Sequence, residues 1–210
     1  MVQNQKGRRG RPRAYDPDTV LGEATAAFWS SGYGATSLDN LSAATKLNRP
    51  SLYGAFGDKG ALYLRTLERY RDQAAVGMGA ALAPARPLRE GLRRVYGHAL
   101  DLYFHRSPAL GCYMIGTATT EAVQHDEVRT FLRDALRQLD RGFERRLALA
   151  REQGEIAATA DPASLARIAS AILHTLAVRS RAGDSRAELE AIVETGIALI
   201  CGPEHISAPA

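Results

Sequence analysis

The sequence predicts an all-α protein built from an N-terminal three-helix helix-turn-helix unit and a larger helical body. Three observations predict it. Apolar residues recur at helical spacing along nearly the whole chain, and no segment alternates with period two for long enough to propose a strand. Helix starts and stops punctuate it: Asp-Pro at 16–17 and 161–162, and Gly-containing breaks at 32–34, 57–58, 183–184 and 202–203. Two short helical segments joined by a tight turn follow the first helix, the spacing of a helix-turn-helix.

Residues 1–13 carry Lys6, Arg8, Arg9, Arg11 and Arg13 and no acid, and read as a flexible basic arm. A first helix starts at Asp16-Pro17, where the carboxylate caps free N–H groups and proline sacrifices no hydrogen bond. Its apolar residues Val20, Ala24, Ala27 and Phe28 share a face, and Gly32-Tyr33-Gly34 ends it. Thr36 and Ser37 cap a second helix over 38–45, with Leu41 and the small Ser42 facing inward. After Lys46 and Leu47, a third helix runs from about Asn48 to Phe56, with Pro50 in its first turn. A fourth extends from 58 to about 80. Pro84 and Pro87 mark the region between the two parts of the chain, and helices are expected over 87–105, 108–123, 126–153, 162–182 and 185–201. The working division is 1–13 for the arm, 14–74 for the reading unit (helix-turn-helix about 37–56) and 75–204 for the body.

Composition narrows the function. Of 210 residues, 45% are hydrophobic and 24% charged, as in soluble globular chains. No apolar run reaches the ~18 residues that cross a bilayer. The basic N-terminus precedes no apolar segment of the secretory kind, so a cytoplasmic protein without membrane contact is expected. The net charge of +4 is concentrated at the N-terminal end, beside a near-neutral body, which points to a polyanion contact there. Cys112 and Cys201 have neither disulfide-framework nor metal-ligand spacing. No G-x-S-x-G, P-loop or H-E-x-x-H appears, so no enzyme, metal or cofactor is expected.

The third helix presents Asn48, Arg49, Ser51, Tyr53 and Gly54 on one side, and Leu52 and Phe56, with Leu41 and Leu47, on the other. Arginine can fork to guanine and asparagine can pair with adenine in the major groove. Asn48 serves equally well as the helix cap. Tyr53 reads either as a DNA contact or as packing.

Residues 27–38 (AFWSSGYGATSL) and 41–59 (LSAATKLNRPSLYGAFGDK) resemble the tetracycline-repressor (TetR) family of regulators. The features fall in order: Phe28-x3-Gly32-Tyr33-x2-Thr36-Ser37, Leu52-Tyr53-x2-Phe56 and Asp58-Lys59. The resemblance covers roughly 14–74. It implies that Thr36 and Ser37 cap the second helix and touch a phosphate, that Tyr53 meets the DNA backbone, and that Lys59 grips a phosphate. The chain departs from the family in the turn, where Thr45-Lys46 replaces the usual Ala-Gly. A left-handed turn position costs a lysine about 1 kcal/mol relative to glycine, so the turn geometry at Lys46 is left open, and Lys46 places a cation near the DNA. Arg9-Gly10-Arg11-Pro12 resembles the core of an AT-hook, which suggests that Arg11 and Arg13 enter a minor groove or meet phosphates.

The resemblance further implies a homodimer on double-stranded operator DNA, released by a small-molecule effector. Its interface falls on the last two helices, where Ala166, Ala169, Ser170, Ala177, Ile192, Gly196 and Leu199 are small or apolar at helical spacing. An effector pocket is expected in the body, with His98, Tyr103, Cys112, Met114, Thr117 and His174 as candidate lining. The rival readings are a non-sensing architectural DNA-binding protein and a redox-responsive repressor that uses Cys112.

Overall fold

The computed structural model describes residues 15–202. Among these residues there are nine helices and no strand. Arg11 and Arg13, with the rest of the arm, lie outside the described residues.

Helix α1 (Pro17–Ala35) begins where Asp16 accepts hydrogen bonds from the N–H groups of Asp18 and Thr19. Gly32, at φ 78° and ψ 166°, breaks it, and one further turn follows. The stop expected at 32–34 is therefore a kink, because the chain re-enters helix before Thr36. Helix α2 (Leu38–Thr45) starts with a reciprocal pair: Ser37 Oγ accepts from Asn40 N–H, and Asn40 Oδ1 accepts from Ser37 N–H. Lys46 closes it at φ 58°, ψ 19°, the one non-glycine residue with positive φ among the described residues. Helix α3 (Arg49–Phe56) is capped by Asn48, and α4 (Lys59–Ala81) by Asp58. Leu41, Leu52 and Phe28 seal the space between these helices.

The body holds α5 (Leu88–Tyr103), α6 (Tyr113–Glu121), α7 (Asp126–Glu152), α8 (Pro162–Ala182) and α9 (Arg186–Cys201). The expected α6 start at 108 is corrected to 113. Gly111 sits at φ 65° against α8, and a Cβ there would lie 2.3 Å from the Ala177 carbonyl oxygen. The loop before α6 is thus pressed onto α8 in a conformation that a helix cannot adopt. Helix α4 runs unbroken through 74/75 and packs on both α1 and α7.

Two hydroxyl links join α4 to α6. Tyr63 donates to Thr117 Oγ1 (2.7 Å), and the Tyr113 hydroxyl donates to Thr66 Oγ1 (2.7 Å), whose own proton goes to the Tyr63 carbonyl. Around them Phe28, Trp29, Tyr33, Tyr70 and Tyr113 meet ring to ring. One aromatic core therefore runs from the reading unit into the body.

Candidate nucleic-acid interface and effector cavity

The outer side of α3 is open. Tyr53 is 46% exposed, and no atom lies within 4 Å of the position a Cβ would take on Gly54. Ser51 lends its backbone N–H to Asn48 Oδ1, so the cap role of Asn48 is realised. Arg49 does not project freely. Its Nε and Nη2 donate to Asp39 of α2 at 2.6–3.1 Å, a pair exposed on both sides. Exposed pairs of this kind contribute only ~0–1 kcal/mol, so a phosphate or guanine can displace the carboxylate. Lys46 is exposed at the turn. Lys59 stands at the first position of α4 with its ammonium 4.3 Å from the Tyr33 ring centroid, and partial burial lowers its pKa.

Thr36 is a correction. Its side chain is buried, and its hydroxyl donates to the Gly32 carbonyl at 2.6 Å. It holds the kink of α1 and offers no hydroxyl to phosphate. Ser37 remains exposed at the α2 start.

Behind this unit lies a cavity of about 930 Å³, near the upper end of small-molecule sites. His98, Tyr103, Cys112, Met114 and His174 all line it. Thr117 does not: it is buried, accepts from Tyr63 and donates to the Tyr113 carbonyl. Thr25, Ala26 and Trp29 of α1 and Tyr70 of α4 also form the wall, so the cavity touches the reading unit itself. The Tyr70 hydroxyl donates to Cys112 Sγ at 3.4 Å. Burial nevertheless pushes the Cys112 thiol up, which opposes the thiolate that redox chemistry needs. Burial also lowers His174, leaving a neutral imidazole at neutral pH.

A model of the "Tetracyclin repressor-like, C-terminal domain" matches residues 89–195, and one of "Bacterial regulatory proteins, tetR family" matches 20–66. A cysteine mutant of the TetR family regulator CifR, solved with 26-bp double-strand operator DNA, is 31% identical. It superposes with a TM-score of 0.76 over 89% of this chain and 98% of its own. The chain belongs to the TetR family. The HTH-type transcriptional repressor ComR of Escherichia coli K12 is 29% identical over 195 residues, 92% of this chain and 93% of ComR. The reduced form of E. coli NemR, 16% identical, shares the fold with a TM-score of 0.77 over 85% of this chain and 93% of its own.

On this TetR-family frame the expected interface residues need correction. Ala166, Ala169, Ser170 and Ala177 point inward. The Ala169 carbonyl accepts from Tyr96, and Ser170 Oγ donates to Asp140 at 2.6 Å. Gly196 is buried under Ile172, where a Cβ would lie 2.5 Å from Ile172 Cδ1. These small residues let α8 and α9 approach their own neighbours within the chain. Ile192 is half-buried. Only Leu199, 74% exposed, faces clearly outward. The outward face is instead made by Ile168, Ala171, Thr175 and Val178 of α8 with Ala191, Thr195 and Ala198 of α9.

Sequence reasoning missed Trp29, Arg146 and this outward stripe. Residues 168, 171, 175 and 178 do repeat at helical spacing, but α8 carries small residues on both faces, and burial alone tells them apart. Nothing local marks Arg146, which lies in an arginine-rich stretch of α7 and is 4% exposed.

Proposed function

We propose that this TetR-family chain is a homodimeric, cytoplasmic transcriptional repressor that grips a near-palindromic operator and lets go when a small molecule fills the cavity. The observation that carries this reading is that the cavity wall includes α4, which packs on α3, and α1, which packs on α2, the other helix that seats α3. A ligand against this wall bears on the orientation of the reading helix through α4 and through α1 and α2.

The division of labour follows. Tyr53, Lys59, Ser37 and Lys46 meet the phosphate backbone, while Arg49, freed from Asp39, and Ser51 approach base edges. Asn48 fixes the start of α3. Arg11 and Arg13 add minor-groove or phosphate contacts from the arm. The outward face of α8 and α9 pairs with its symmetry mate. Ile168, Val178 and Leu199 are large and exposed in the single chain, and small Ala and Thr residues between them permit close helix approach. A twofold pair sets two α3 helices into major grooves about 34 Å apart. An effector releases DNA only if it binds better to the arrangement that no longer matches that spacing.

The test is footprinting of the full chain on the DNA upstream of its own gene. Two protected half-sites one turn apart, lost in Tyr53→Ala and weakened in Lys59→Ala, are expected. Broad protection without symmetry would instead indicate an architectural protein. Removal of residues 1–13 should flatten the dependence of binding on salt.

A further inference from the structure

The cavity has a one-sided charge. Its charged lining consists of five arginines, and among the described residues no aspartate or glutamate lines it. Two of these, Arg106 and Arg145, are exposed. A third, Arg146, is 4% exposed. Its Nη2 donates to the Arg86 carbonyl (2.7 Å) and to Glu155 Oε1 (2.6 Å), and the other Glu155 oxygen accepts from the Leu88 N–H. Glu155 therefore clamps the start of α5 and one nitrogen of the guanidinium. The remaining nitrogens, Nε and Nη1, are sealed from solvent and have no hydrogen-bond partner. His174 Nε2, on the same wall, is also buried without one. Buried donors left in this condition are costly, and guanidinium donors most of all. The rest of the wall is apolar or aromatic, with Trp29 and Met114 among it.

We infer that the effector is an amphipathic organic carboxylate, its anionic head taken by the buried, unpartnered N–H groups of Arg146 as the wall adjusts around it, and its apolar body laid against the aromatic wall. This deepens the effector reading above and rests on it. A carboxylate supplies the acceptors that Arg146 lacks, and the hydrogen bonds so formed are charge-assisted. Exposed arginines of the same sign raise the local concentration of anions. A neutral alcohol leaves a buried charge underused, and an ammonium is repelled. The large apolar volume excludes a small inorganic anion as the natural fit.

Trp29 is the sole tryptophan and stands in the wall, so its fluorescence reports occupancy. The full-length dimer, stripped of bound molecules, is titrated with laurate, dodecanol and dodecylammonium, and with 4-phenylbutyrate and 4-phenylbutanol. At least one carboxylate is expected to saturate at tenfold or more lower concentration than its alcohol, with dodecylammonium no better than dodecanol. Arg146→Gln should bring carboxylate and alcohol within about twofold of each other. Because Arg146 also ties Arg86 and Glu155, a second variant is needed. Arg145→Glu, on an exposed position, should weaken carboxylate binding several-fold and leave the alcohols unchanged. Equal affinities for acid and alcohol, tighter binding of the ammonium, or no saturable change with either carboxylate would overturn the inference. Operator release is measured separately. Carboxylate preference with DNA still bound supports the ligand class and defeats the release mechanism, whereas equal release by alcohols does the reverse.

Discussion

The reading unit and the body are stabilised in different ways. In the reading unit every helix start carries a side-chain cap: Asp16, Ser37, Asn48 and Asp58 each accept a backbone N–H of the helix they open. In the body Asp161 and Ser185 cap α8 and α9 in the same way, but α5, α6 and α7 begin at Pro87, Cys112 and His125 with no hydrogen bond from the side chain at the cap position. There the order comes from tertiary contacts: Glu155 holding the α5 start, Gly111 against α8, and tyrosines reaching across helices. Buried polar atoms without partners occur in both parts: Ser42 Oγ in α2 of the reading unit, and, on the cavity wall, Arg146 Nε and Nη1 and His174 Nε2 in the body. A surface that reads DNA gains from local rigidity.

Four experiments break or sharpen that comparison. The largest effect is expected at the outward face of the body. Val178→Glu puts a charge into the proposed interface, where an unpaired ion is strongly disfavoured. It should give a monomer by light scattering and lower operator affinity by about 100-fold or more, with the circular dichroism of the helices retained.

Next is the core of the reading unit. Leu41→Ala removes a fully buried side chain from a small core and should cost about 2–5 kcal/mol in denaturant unfolding. If the body is held independently by its own packing, its helical signal survives conditions that melt the variant's reading unit. A single unchanged transition would show the two parts to be one cooperative block joined through Tyr63 and Tyr113.

Caps come third. Ser37→Ala should cost about 1 kcal/mol and reduce operator affinity a few-fold, because α2 sets the seat of α3 and the Ser37 hydroxyl is a proposed phosphate contact. Asp161→Ala, the cap of α8, should cost a similar amount yet leave operator affinity nearly unchanged. Equal effects on DNA binding from both would mean that caps act only through global stability.

The smallest effect is a pH dependence with two windows. Burial lowers the His174 pKa from its usual 6.5, so the unfolded chain binds this proton more readily than the folded one. Stability is full above that value and declines as acidification proceeds through it. The cap carboxylates Asp16 and Asp161 are held below their usual range by hydrogen bonds from Thr19 and Ser164 and from backbone N–H groups. Their contribution is present above the ordinary carboxylate range and is lost only as pH falls through the depressed values. His174→Gln should erase the first window and leave the second, as read by thermal melts from pH 8 to 3.

The DNA-facing half was largely legible because its signals are local. A cap, a turn residue and an apolar period each act within a few residues, so a cap role for Asn48 stood in the sequence beside its base-reading role, and Lys46 stood at the turn position usually held by glycine. Five of the six cavity residues named from sequence line the chamber, because the family resemblance placed a pocket among the helices of the body. Thr117 failed because its hydroxyl is taken by Tyr63, 54 residues away. The interface residues failed because a helix with small side chains on two faces does not say which face is covered by its own chain.

By itself the sequence determined the helices, most of their caps and the reading head, because those follow from short-range hydrogen bonding and from periodicity, while the order of its motifs carried the family resemblance. Only the tertiary structure decided which face of α8 is left open, that Asp39 holds Arg49, and that Arg146 is buried with two nitrogens unanswered. Each depends on what distant segments place beside a side chain, and no local pattern encodes that neighbour.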